Sequence, residues 1–246
     1  MNTEMGKKNN GDFEFCTIRK DIRNIHLGVY PPDGRVRVAA PTGTTDETIK
    51  VLIASKTPWI KKQQSRFEKQ ERQAKREFVS GESHFFMGDR YLLSVIYDNS
   101  ASKVEIKGKS RIDLHARAGA PIKKRERLMD DFYRLELKRR IPVLISKWEK
   151  TTGIKVSEFR IRKMKTKWGT CSQKYKRVWI NLELAKKPPH CLEYVVVHEM
   201  VHLVHRTHNK EFTRLMNTFM PQWAQYKEEL NKRPLGYSRW MHLTEQ

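Results

Sequence analysis

Paired cysteines are missing from this chain, and that absence narrows its chemistry. Cys16, Cys171 and Cys191 are odd in number and far apart, which gives neither a disulfide framework nor a paired-cysteine zinc knuckle. Any metal would have to be held by histidine or carboxylate. Long apolar runs are missing too. None approaches the roughly 20 residues of a membrane helix, and the opening MNTEMGKKNNGDF has no apolar segment fit for a signal peptide. The expectations are no membrane partner and a cytoplasmic location. Acidic residues are scarce beside basic ones, with 28 Asp plus Glu against 50 Lys plus Arg and a formal charge of +22 over 246 residues. No G-x-x-x-x-G-K-[ST] phosphate loop, zinc-finger pattern, internal repeat or low-complexity segment is evident.

The positive charge sits in segments that look folded, not in a tail. KKQQSRFEKQERQAKR (61–76) and KKRERLMDDFYRLELKRR (123–140) intersperse acids at helical spacing, as solvated helix faces do. RIRKMKTK (160–167) reads as a strand, and a basic strand beside a site favours anionic or nucleic-acid-bound substrates.

The pattern along the chain predicts an α+β fold with a β-rich N-terminal region followed by a compact core. Residues 13–117 mix strand signals (FCTIRKDI, HLGVY and RVRVAAP around a Pro-Pro-Asp-Gly turn, YLLSVIYD, KVEIKGKSRIDLHA) with one helix from about 46 to 77, capped near Thr45. Residues 118–233 open with a helix to about Thr151 that carries Pro142 and is expected to kink there. Strand candidates VSEFRIRKM and KRVWINLEL follow, then residues 198–208, a helix from Lys210 to Leu230, and a tail over 234–246.

HEMVHLVHRTH (198–208) carries the chemistry. Residues four apart on a helix share a face, so His198 and His202 project together as two nitrogen ligands, with Glu199 one step round. This is the H-E-x-x-H arrangement. Two imidazoles hold zinc, and the carboxylate reaches the attacking water without being a ligand. Val197, Met200, Val201, Leu203 and Val204 make the helix apolar enough to be buried. The pattern arises by chance in about one chain in forty of this composition, so a third ligand matters. His208 lies where the helix should give way, and Arg206, Thr207 and Asn209 are fit to end one helix and cap the next. His205 is not counted as a ligand. It reads equally as a substrate contact or as a helix-end histidine.

Trp168, Gly169, Thr170, Cys171 and Ser172 lie between two strand candidates. Two readings stand for them: a cleft wall that pairs with an extended substrate, or a tight turn with Trp168 in the core. Cys171 reads as a small buried side chain rather than a nucleophile.

WGTCS (168–172), WINLELAKKPP (179–189), YVVVHEMVHLVHRTHNKEF (194–212) and MPQW (220–223) together resemble the YgjP-like metallopeptidases, relatives of the SprT and WLM groups. The resemblance spans about residues 24 to 232 and is strongest from Trp168 to Trp223. It implies a zincin-like peptidase core, one zinc on His198, His202 and His208, Glu199 as general base, and a protein or peptide substrate. Thr170 departs mildly from the small residue frequent there.

The expected activity is metal-assisted peptide hydrolysis. A phosphohydrolase acting on nucleoside triphosphates is the second reading, for which Arg160, Arg162, Lys163, Lys165 and Lys167 offer cations. A nucleic-acid-associated protein with a vestigial zinc site is the third. The charge predicts weak, non-specific nucleic-acid binding that falls roughly 10³-fold between 50 and 200 mM salt if about six phosphates are contacted. Titration on duplex and single-stranded DNA tests this, and no binding at 50 mM would refute it.

Overall fold

Alternation builds the first sheet. In the computed structural model, which describes residues 5–9, 13–30, 34–68, 76–98, 102–164 and 167–232, the segment RVRVAAP buries every second side chain. The contacts divide the chain into two units, Met1–Arg72 and Gln73–Gln246. In the first, β1 (Met5–Asn9), β2 (Glu14–Lys20), β3 (His26–Tyr30) and β4 (Arg35–Pro41) form a sheet in the order β1-β2-β4-β3, with β2 and β4 parallel. Helix α1 (Asp46–Glu68) presents Ile49, Ile53 and Ile60 at helical spacing to Phe15, Val36, Val38 and Ala40. The Thr45 hydroxyl accepts from the Thr48 amide at 3.3 Å, the cap expected there. The helix expected to reach about 77 is described only to Glu68. Residues 69–75 lie outside the described residues, and 76–77 are not helical.

The second unit opens with the same succession. β5 (Ser83–Phe86), β6 (Asp89–Tyr97), β7 (Lys103–Lys107) and β8 (Arg111–Ala116) run in the order β5-β6-β8-β7, again with the second and fourth strands parallel, followed by α2 (Ile122–Thr152). Two hairpins and a long helix therefore occur twice in a chain whose sequence shows no repeat. Backbone pairing and alternate burial define this topology, and many side-chain sets satisfy both.

Met129, Tyr133, Leu137, Ile141, Ile145 and Trp148 make the buried face of α2. Pro142 lies inside the helix without ending it, and Gly153 (φ 73°) closes it by donating its N–H to the Glu149 carbonyl at 3.0 Å. Arg125 is buried and donates to the carbonyls of Glu77, Phe78 and Ala120. On the exposed side Glu136 pairs with Arg139 and Arg140, as a solvated face would.

A third sheet, in the order β10-β11-β9, follows from β9 (Glu158–Arg162), β10 (Gly169–Ser172) and β11 (Arg177–Asn181). A 3-10 turn (Leu182–Lys186) leads to α3 (Pro189–His202), then α4 (Lys210–Phe219) and α5 (Trp223–Lys232). The helix expected from Lys210 to Leu230 is thus two helices. Pro221 disfavours helical geometry at the residue before it, and Met220 is non-helical (φ −141°, ψ 78°).

One continuous core joins Leu93, Ile112 and Leu114 of the sheet to Leu137 and Ile141 of α2 and to Ile180, Val196, Val197 and Met200. The boundary expected at residue 117 runs through this core, whereas the contacts divide the chain after Arg72. Among the described residues no helix is long and apolar enough to cross a membrane, and the tail over 234–246 lies outside them.

Ile141 is fully buried and Val143 is 68% exposed on the same helix. Ile141→Ala should cost about 2–5 kcal/mol and Val143→Ala within about 0.5 kcal/mol, read from denaturant midpoints. Equal losses would contradict the assigned face.

Candidate metal centre

Helix α3 forms against intrinsic preference, because Val195, Val196 and Val197 are β-branched. Burial decides it, since these three, Met200 and Val201 are all in the core. Pro189 starts the helix at a position that needs no N–H donor. The apolar wrap expected around it holds as far as Leu203, which is half-buried, while Val204 is 51% exposed. After His202 the chain tightens, the amides of Val204 and His205 both donating to the Val201 carbonyl. Asn209 caps α4 by accepting from the Phe212 amide at 2.9 Å, and the turn between the helices brings His208 back.

The three histidines converge. Their Nε2 atoms lie 3.1, 3.1 and 3.2 Å apart. The corners of such a triangle lie about 1.8 Å from its centre, close enough that all three nitrogens could ligate one ion at the roughly 2.0–2.1 Å of a zinc–imidazole bond. His202 Nδ1 donates to the His205 carbonyl at 2.9 Å, which leaves its Nε2 as a lone pair facing the others. Tyr194 Oη lies 3.4 Å from His198 Nδ1. Buried Phe212 packs under all three rings at centroid distances of 5.0, 4.6 and 4.8 Å. Burial, with His202, His208 and Lys227 adding to it, lowers the His198 pKa to about 3, and burial also lowers that of His208. Neutral imidazoles are the form in which histidine ligates a metal.

Glu199 lies beside this triangle, 5% exposed. A Cβ at Gly169 would sit 2.6 Å from its Oε1 and 2.9 Å from its Cδ, so only glycine admits the carboxylate there. Burial pushes the Glu199 carboxyl up to about 8, against the pull of Lys167.

Trp168 through Ser172 all line the same cavity of about 780 Å³ as Glu199 and the three histidines. The segment is a strand rather than a tight turn: Gly169–Ser172 is β10, paired antiparallel to β11 at the edge of its sheet. Trp168 is half-buried against the core, with the Lys187 ammonium 5.4 Å from its ring centre. Burial, then the Glu199 charge, pushes the Cys171 thiol up to about 11, as an inert side chain requires. His205 takes part through its backbone carbonyl, not its ring.

The basic strand is scattered by the fold. Arg160 pairs with Glu158, Lys163 with Glu126 and Asp130, and Arg162 lies over the Trp179 ring. Lys165 lies outside the described residues. Of the described four, Lys167 lines the cavity.

Sequence reasoning missed Asn181, Tyr194, Phe212 and Lys227. Fully buried Asn181 uses its whole amide, donating to the Met164 and Lys167 carbonyls and accepting from the Met164 and Glu183 amides. Its own N–H donates to the Trp168 carbonyl at 2.9 Å. It therefore clamps the segment that carries Lys167 and enters β10. A buried asparagine at a strand end carries no local signal of such partners.

Three imidazoles that meet at one point, with the buried carboxylate of Glu199 on the helix that carries two of them, are a group that could hold a metal ion. The family model for the YgjP-like metallopeptidase domain matches residues 23–233, and the chain belongs to that family. Two solved metallopeptidase zymogens are similar to part of it. Abylysin from Pyrococcus abyssi is 20% identical with a TM-score of 0.35, covering 37% of this chain and 90% of its own. Jannalysin from Methanocaldococcus jannaschii is 19% identical with a TM-score of 0.33, covering 37% and 92%. No curated protein matches the chain.

Gly169→Ala should force Glu199 or β10 to shift and lower hydrolysis of an unfolded polypeptide by roughly 10²-fold, with metal content unchanged. Undiminished activity would show that the close approach is immaterial.

Proposed function

We propose that the chain is a zinc-dependent peptidase in which His198, His202 and His208 hold one zinc ion and Glu199 is the general base. The observation that carries this reading is the convergence of three Nε2 atoms beside a carboxylate buried against Gly169. Zinc, when bound, polarises the substrate carbonyl and makes water a competent nucleophile near neutral pH. Glu199 accepts the proton of the attacking water and delivers it to the departing amine. Burial in a nearly dry wall raises the carboxylate's basicity for the first step and readies it to give the proton back in the second. His202 is oriented by the His205 carbonyl and spends no binding energy on finding its rotamer.

Trp168 through Ser172 bind the substrate. The outer edge of β10, which pairs with no other strand among the described residues, offers backbone groups to an extended peptide, which adds as a further strand beside Glu199. The three cysteines form no disulfide, in keeping with a reducing compartment, and the cytoplasm is the proposed location.

Two substitutions test the reading. His202→Ala should abolish zinc retention, measured by metal analysis against about one ion in the unaltered protein. Glu199→Gln should keep zinc and lose hydrolysis by at least about 10²-fold, because an amide accepts no proton. Full zinc in the first variant or full activity in the second would refute the corresponding role.

A further inference from the structure

The charged lining of the cavity is one-sided. Lys167, Arg206 and Lys227 border it, and Glu199 is the sole carboxylate among the described residues that line it. All three cations are exposed, and none forms an ion pair with another described residue. Cations elsewhere on this surface do find acids, as Lys147 does with Glu193, Lys163 with Asp130 and Arg214 with Glu211. The three come from different places: the segment entering β10, the turn after α3, and α5. Lys227 also packs over the Trp223 ring at 5.5 Å, at the start of α5.

We propose that this cleft selects extended polypeptides carrying acidic side chains near the scissile bond, with Lys167, Arg206 and Lys227 as its specificity-determining residues. The inference rests on the peptidase reading above. A peptide strand laid along β10 would place successive side chains on alternate faces, so residues flanking the scissile bond reach cations on separate elements. A cleft lined by one sign of charge also raises the local concentration of oppositely charged substrate. A compact triphosphate fits the arrangement less well. Its charges would need donors converging on one point, and Arg160 and Lys163 are already paired elsewhere.

The experiment uses fluorescent peptides of one sequence whose flanking positions are Glu and Asp, Gln and Asn, or Lys. Their binding to the Glu199→Gln protein is measured by anisotropy, and their cleavage by the unaltered protein as kcat/KM. The acidic peptide should bind about 10-fold tighter than the neutral one at 50 mM salt, an advantage lost by several hundred millimolar. Lys167→Glu with Lys227→Glu should transfer the preference to the lysine peptide. Equal binding of acidic and neutral peptides, or cleavage without preference, overturns this proposal and leaves the peptidase reading intact. Preferential binding with no cleavage of any peptide overturns the peptidase reading, and the substrate class proposed here falls with it. Displacement of the acidic peptide by nucleoside triphosphate that is then hydrolysed overturns the proposal in favour of a phosphate role for these cations.

Discussion

The approach of the Glu199 carboxylate to the Gly169 backbone is the contact around which the second unit is arranged. It demands that an edge strand and a helix meet with no side chain between them. A carboxylate placed so deeply is costly unless its surroundings are fixed, because a buried ionisable group with room to relax simply neutralises or hydrates. The apolar wrap of α3 supplies that rigidity. Val196, Val197, Met200 and Val201 are fully buried, so the helix cannot rotate to bring Glu199 to solvent without exposing them.

The other half of the contact is held by hydrogen bonds. Asn181 ties Met164, Lys167 and Trp168 to the end of β11, so the glycine that faces Glu199 is located by a fully satisfied buried amide. A network of this kind is strong while complete, since each partner lost leaves a buried polar group unpaired. The imidazole triangle is located in a similar way. The His205 carbonyl, Tyr194 and Phe212 surround the three rings and restrict them to one convergence.

Charge is distributed by the fold in a manner composition conceals. A net +22 suggests a broad cationic surface, yet the basic strand spends most of its charge on pairs and on an aromatic ring. Of the cations that face the cavity, Lys167 closes that basic stretch, while Arg206 and Lys227 come from a turn and a helix much further along the chain. Electrostatic character at a cleft depends on which charges lack partners there, not on the chain total.

Local sequence was enough for whatever depends on spacing along one element. The four-residue interval of His198 and His202 places both on one helix face with Glu199 beside them, and Asn209 announces the next helix by its capping chemistry. The alternation of RVRVAAP likewise declares a half-buried strand. Pairing between distant segments was not legible. Nothing local marks GTCS as an edge strand, joins the sheet of β5 to β8 to the core of α2, or repeats the hairpin topology of the first unit in the second. The break at Pro221 is written in the sequence, although the helical periodicity on either side of it predicts one helix. Periodicity is a property of neighbours a few residues apart. The meeting of Gly169 with Glu199 and the choice of Lys167 over Arg160 and Lys163 at the cavity are contacts between segments far apart in the chain, and tertiary packing alone decides them.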